Sequence, residues 1–182
     1  MTEPGHFDLA PSSWVARFAA LIRAGGRVLD LAAGGGRHTR LLLERGFRVT
    51  AADRDTAALQ AAFGGHPSCR VVALDLEDGS PWRLGAGYDG LVVTNYLFRK
   101  GFADLAGCLA PGGVLIYETF MLGNERFGKP SNPDFLLRPN ELLEAFAPLL
   151  TVAAFEQGIC HAPRLAAIQR LAAVKGAILP LD

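Results

Sequence analysis

The sequence predicts one doubly wound α/β domain, and three observations lead there. Val28-Leu29-Asp30-Leu31 is an apolar run ending at a small-residue turn, Ala32-Ala33-Gly34-Gly35-Gly36, from which a helix-like stretch, Thr39 to Arg45, departs. That is strand, glycine turn, helix. Comparable apolar runs recur at 47–52, 70–74, 88–94 and 114–119, mostly separated by helical segments, as a parallel sheet with crossover connections requires. Two last runs, 150–156 and 165–174, follow one another without a helix between them, which suits a closing antiparallel pair.

Composition agrees. The 182 residues are half hydrophobic and one fifth charged, a globular balance with enough chain for a single sizeable core. Residues 1–182 read as one domain, with an arm and helix over 1–26 and the core over 27–175. Eighteen basic and eighteen acidic side chains cancel, which disfavours broad capture of nucleic acid or an anionic membrane. No apolar stretch approaches the ~20 residues of a membrane span. The start of the chain lacks a signal-peptide pattern. Three scattered cysteines, Cys69, Cys108 and Cys160, read as reduced thiols of a cytoplasmic protein, and no cysteine–histidine spacing suggests zinc or another metal.

The elements follow in order. Residues 1–11 form a loose arm with Pro4, Gly5 and Pro11. Ser12 or Ser13 caps a helix from Trp14 to about Ala24, ended by Gly25-Gly26. The first strand is 27–31. Arg37 and His38 occupy the entry of the next helix, which Gly46 closes. The second strand, 47–52, ends at Asp53, and Asp55 caps a helix over 56–63. Gly64-Gly65-His66-Pro67 breaks the chain before the third strand, 70–74. Asp75-Leu76 follows it, then a solvated loop with Glu77 and Asp78 before Pro81-Trp82. The fourth strand, 88–94, runs into Asn95-Tyr96. A helix over 102–109 stops at Ala110-Pro111-Gly112-Gly113, a sharp reversal before the fifth strand, 114–119. Residues 120–138 have no period and many aromatics, an uncommon loop unless functional. It reads as a substrate-side lid. Pro139 opens a helix over 140–146, and 157–164 connects the last two strands.

The chemistry of the first turn is specific. Glycines let a ligand lie against bare backbone, and a helix start favours an anion. A carboxylate at the strand end, Asp30, instead attracts a cation. A ligand with an ammonium, a sulfonium and a carboxylate satisfies both, and S-adenosylmethionine (SAM) is such a ligand. With Asp30-x-Ala32-x-Gly34-x-Gly36 in view, the chain resembles the class I SAM-dependent methyltransferases, whose first motif is an acid followed by alternate glycines. Ala32 stands where the first glycine usually is. Leu-Ala-Pro-Gly-Gly-Val-Leu at 109–115 strengthens the likeness, which covers about 12–175. The small stand-alone bacterial members, including the tellurite-resistance-like group, are the most similar.

The resemblance implies a Rossmann-like, seven-stranded mixed sheet of order 3-2-1-4-5-7-6, last strand antiparallel. It implies Asp30, Ala32, Gly34 and Gly36 at the methionine end of SAM, with Trp14 and Arg17 nearby. Asp53 then serves the ribose hydroxyls, Asp75 and Leu76 the adenine, and Asn95 the end of the central strand. Tyr96, Phe127, His161 and Arg164 are expected on the acceptor side. No catalytic base is assigned; Tyr96, Glu118 and His161 are candidates by position. The expected activity is methyl transfer to a small-molecule acceptor. Two other readings remain: a NAD-dependent oxidoreductase, which lacks the Gly-x-Gly-x-x-Gly spacing here, and a non-catalytic SAM-binding module.

Overall fold

Seven strands form one sheet in the order β3-β2-β1-β4-β5-β7-β6. In the computed structural model, residues 10–79 and 84–176 are described. Most of the expected arm, 1–9, and the Pro81-Trp82 pair lie outside them. The strands are β1 (Arg27–Leu31), β2 (Arg48–Asp53), β3 (Cys69–Ala73), β4 (Tyr88–Thr94), β5 (Leu109–Phe120), β6 (Thr151–Cys160) and β7 (Ala166–Val174). The first five run parallel, and β7 is antiparallel to both β5 and β6. The expected order and the reversed last strand are both present.

The central strands read as unbroken apolar runs because both faces are covered. On one face Val28, Val49, Val92, Ile116 and Ala172 pack beneath Trp14, Val15 and Phe18 of α1 (Ser13–Phe18) and Leu42 of α2 (Arg37–Glu44). On the other, Leu29, Leu91, Leu115, Tyr117 and Leu171 meet Leu105 of α4 (Phe102–Cys108) and Leu142 and Phe146 of α5 (Glu141–Phe146). Leu59 and Phe63 of α3 (Ala57–Phe63) cover Ala51 of β2.

Three boundaries differ from the sequence reading, each because of a tertiary contact. The first helix ends at Phe18, continues as a 3-10 turn over Ala19–Leu21, and is extended at Ile22. Ile22 leaves the helix to fill the hollow over Gly90 of β4, where an added Cβ would stand 2.5 Å from Ile22 Cδ1. Pro111-Gly112-Gly113 lies inside β5, with a register shift between Tyr88 and Gly90 on the partner strand. β6 continues to Cys160 because β7 pairs with it along its whole length, down to Cys160 opposite Ala166. The expected connector, 157–164, therefore shrinks to 161–165.

Candidate cofactor and acceptor site

The carboxyl ends of β1, β2, β3 and β4 open into a cavity of about 540 Å³, lined from those strands by Ala32, Asp53, Arg54, Asp75, Leu76, Glu77, Asn95 and Tyr96. In a doubly wound sheet this crevice is the ligand position. Crossover helices enter and leave on opposite faces there and leave the strand ends open.

Asp53 ties the site together. Its Oδ2 accepts the Gly34 N–H at 2.8 Å, and its Oδ1 accepts the Asp55 N–H at 3.1 Å. The end of β2 thus holds the glycine turn after β1, and each oxygen keeps a further lone pair for a hydroxyl donor. Gly34 has φ +55°, and an added Cβ would meet nothing within 4 Å, so open space lies beyond this turn. Ala32 also has a positive φ, 53°, the conformation for which glycine is the ordinary residue. Asn95, φ 55°, donates its N–H to Glu118 O at 2.9 Å, which turns the chain sharply at the end of β4. Asp75 Oδ1 accepts the Glu77 N–H, and the Tyr96 hydroxyl donates to Glu77 Oε1 at 3.1 Å.

Several expected site residues stand elsewhere. Asp30 is fully buried and is not in the cavity wall. Its Oδ2 accepts the Thr39 hydroxyl at 2.6 Å, and its carboxyl also accepts the Thr39 N–H in the first turn of α2. The N-cap of α2, Gly36, offers no side chain, so Asp30 reaches across from β1 to satisfy a helix N–H that would otherwise lack a partner. Burial pushes the Asp30 carboxyl up to about 6, against the lowering effect of the Thr39 bonds and of nearby Arg37. Gly36 is required by packing: a Cβ there would stand 2.4 Å from the Phe63 ring and 2.9 Å from Leu59. Trp14 and Arg17 are engaged with Phe18, and Arg17 lies over its ring.

On the acceptor side, Tyr96 lines the cavity, whereas Phe127, His161 and Arg164 do not. Phe127 packs against the main core. His161 borders a separate hollow of about 310 Å³ along the β6–β7 edge, with Cys160 and Arg170. Arg164 covers the Phe120 ring at 4.8 Å, and it is Phe120 that lines the cavity. Glu118 faces Arg170, which also pairs with Glu156. Burial, with Glu77 beside it, raises the Tyr96 phenol above its usual range, so Tyr96 is a donor at neutral pH. His38 is buried between α1 and β4. Its Nε2 accepts the Ser12 N–H at 3.1 Å, which leaves Nδ1 to donate to Thr94 Oγ1 at 3.2 Å. Burial depresses its pKa to about 3, so it stays a neutral tether.

The segment 120–138 is a fixed wall. Asn124 is buried; its Nδ2 donates to Pro130 O at 3.0 Å, and its Oδ1 accepts the Ala167 N–H of β7 at 3.2 Å. Leu136 and Leu137 are fully buried. Arg99 donates to Asp134 O and Leu136 O, both at 2.7 Å, and its guanidinium pairs with buried Glu141. Phe120, Pro130 and Phe135 reach the cavity from this wall. Arg99 and Asn124 carry no motif. Each meets its partners only through the fold, so no sequence signal marks them as anchors.

With this arrangement in place, the comparisons with solved structures show its fold. The chain has the Rossmann-like fold of the class I SAM-dependent methyltransferases. It superposes on TehB from Haemophilus influenzae with a TM-score of 0.71 at 20% identity over 87% of this chain, and spans 60% of that protein's length. The TehB-like SAM-dependent methyltransferase from Corynebacterium glutamicum gives a TM-score of 0.65 at 18% identity, covering 90% of this chain and 88% of that one. The 1,6-didemethyltoxoflavin-N1-methyltransferase of Burkholderia thailandensis, solved with 1,6-didemethyltoxoflavin and S-adenosylhomocysteine, gives 0.66 at 21% identity, covering 90% and 77%. No family model and no curated protein matches the chain.

Proposed function

We propose that this chain is a SAM-dependent methyltransferase acting on a small-molecule acceptor. The observation that carries the reading is the cavity at the carboxyl ends of β1–β4, where Ala32, the Asp53 carboxylate that holds the Gly34 turn, Asp75-Leu76 and Asn95 converge. The residues fit the cofactor. Asp53 has acceptor capacity for the ribose hydroxyls. Asp75 and the Leu76 backbone stand at the next strand end for the adenine, and the open space at Gly34 admits the methionine end. When bound, SAM supplies a methyl group on a sulfonium, a reactive centre that needs little covalent help.

The chain's own task is therefore orientation and exclusion of water. Asp53 and the glycine turn fix the donor end. The 120–138 wall and Tyr96 bound the acceptor end. Asp30 acts through position: it caps α2 and so holds the glycine turn against β1. Among the described residues no side chain in the cavity wall is a histidine or cysteine, which favours an acceptor that is already nucleophilic or is relieved of its proton by a cavity carboxylate. The neighbours named for small acceptors, among them the toxoflavin-precursor enzyme, support a small molecule. Among the described residues no helix is long and apolar enough to cross a membrane, and the three cysteines are free thiols. Both fit a cytoplasmic enzyme.

Calorimetry with S-adenosylhomocysteine and with NAD tests the cofactor. The product should bind and NAD should not; binding of NAD alone would replace this reading with an oxidoreductase. Transfer of label from methyl-labelled SAM into an acceptor library then separates an enzyme from a binding module.

A further inference from the structure

The two ends of the cavity differ in chemistry. Its charged lining residues, Asp53, Arg54, Asp75 and Glu77, all belong to the ends of β2 and β3. The other end is lined by Leu97, Phe120, Pro130 and Phe135, with the Tyr96 hydroxyl and Thr119 as its polar points. Arg164, expected at this end, does not line the cavity and lies over the Phe120 ring. The acceptor end is therefore apolar and aromatic.

Phe135 is the unusual member. It is 53% exposed, while the next two residues, Leu136 and Leu137, are fully buried. A large aromatic left open in a cavity normally folds back onto the nearest apolar surface. Here the backbone that carries it is anchored on both sides. The carbonyls on either side of it, Asp134 O and Leu136 O, each accept one Arg99 nitrogen at 2.7 Å. The same guanidinium pairs with Glu141, which is 4% exposed and whose Oε2 also accepts the Arg138 N–H at 2.7 Å. Pro133 stiffens the turn further, and Asn132 Oδ1 accepts the Asp134 N–H. Arg99 lies four positions after Asn95, so the clamp links the backbone that carries the ring to the turn at the end of β4.

We propose that the acceptor presents a flat aromatic or heteroaromatic ring to Phe135, and that Arg99 is the positioning residue that holds this face in register with the Asn95–Leu97 turn. The inference rests on the methyltransferase reading above and narrows its substrate class. A pre-formed aromatic face rewards a flat partner through offset or edge contacts that a saturated molecule of equal size cannot make. Ordering the ring beforehand removes the entropy loss that binding would otherwise incur. A neutral, planar acceptor also suits the lining of Leu97, Phe120, Pro130 and Phe135, none of which carries a charge.

The test uses naphthol and its saturated counterpart decalol as probes of equal bulk, titrated by calorimetry into the full chain saturated with S-adenosylhomocysteine. Naphthol should bind at least tenfold more tightly than decalol. Phe135→Leu keeps apolar bulk and removes the ring, and should abolish that preference. Arg99→Met should weaken naphthol several-fold while the affinity for S-adenosylhomocysteine stays within twofold, and Arg99→Lys should restore little, because a single ammonium cannot span both carbonyls. Equal binding of the two probes, or an unchanged preference in Phe135→Leu, would overturn the aromatic class. A parallel loss of both ligands in Arg99→Met would make Arg99 merely structural. If S-adenosylhomocysteine itself fails to bind, the methyltransferase reading falls; the naphthol–decalol comparison, run without it, still decides the present inference.

Discussion

The two ends of the cavity are built on opposite principles. The donor end is made of strand termini and their turns, and its carboxylates accept from backbone N–H groups of neighbouring turns: Asp53 from Gly34 and Asp55, Asp75 from Glu77. The acceptor end is made of an irregular segment, 120–138, held by two long-range polar anchors, Asn124 on β7 and Arg99 with Glu141. A sheet fixes its own strand ends, so the donor end needs only small residues and well-placed carboxylates. An irregular segment has no continuous ladder: backbone bonds from Leu122 N–H to Leu137 O and from Leu137 N–H to Phe120 O join its two ends, and other carbonyls and N–H groups along it find side chains elsewhere. The difference teaches where substitutions act: at the donor end on binding or on electrostatics, at the acceptor end on local order.

The largest expected effect sharpens that contrast through pH. Asp30 has its carboxyl raised to about 6 by burial. Between about pH 4 and pH 6 the folded chain keeps a proton that the unfolded chain has released, so stability falls as pH rises through this window. Above it the full penalty, about 3 kcal/mol, is present. Asp30→Asn keeps an acceptor for Thr39 and removes the charge. Urea unfolding should show the variant gaining up to about that amount at pH 8 and nothing near pH 3.5. An equal difference at both pH values would mean that the Thr39 contact matters and the buried charge does not. His38 gives the opposite slope. Its pKa is depressed to about 3, so its contribution is complete above about pH 6.5 and is lost as pH falls toward 3.

Asn124→Ala should come next. It leaves the Ala167 N–H and the Pro130 carbonyl without their partners, a loss of about 2–3 kcal/mol in unfolding experiments. Affinity for S-adenosylhomocysteine should change little, because the anchor serves the other end of the cavity. A comparable loss of ligand affinity would break the division drawn between the two ends.

Asp53→Ala should reverse the pattern. Removing its charge-assisted bonds should weaken S-adenosylhomocysteine by about 1–3 kcal/mol in calorimetry, with a folded chain by circular dichroism. An unchanged affinity would mean that the ribose is held elsewhere. The smallest effect belongs to Ala32, whose φ of 53° is unfavourable for a side chain. Ala32→Gly relieves that strain and adds chain entropy in the unfolded state. The net expectation is a gain of about 0.5–1 kcal/mol in thermal unfolding. A loss would show that the Ala32 methyl makes a contact that outweighs its strain.

The amino-acid sequence by itself determined the succession of strands, glycine turns and helices and set Ala32, Asp53, Asp75, Leu76, Asn95 and Tyr96 at or just beyond strand ends that meet in one cavity, while the sheet order and the reversed last strand follow from the family resemblance. The reason is physical. Apolar runs, glycine turns and capping residues are local signals, and the right-handed crossover rule then leaves few ways to arrange them. Only the tertiary structure decided what the same residue types do when a partner arrives from far along the chain. Asp30, by its charge at a strand end, and Gly36, by the family motif, were expected at the methionine end of the ligand. They serve the cap of α2 and the packing of Phe63 because neighbours from other elements stand against them. Arg164 and Phe127 were drawn to the acceptor by position, yet one covers the outside of Phe120 and the other joins the core. Arg99, Asn124 and Glu141 left no trace in any motif, because each has a partner dozens of residues away, Arg99 with Glu141 and Asn124 with Ala167, and backbone carbonyls, which every residue carries, are what two of them also bind.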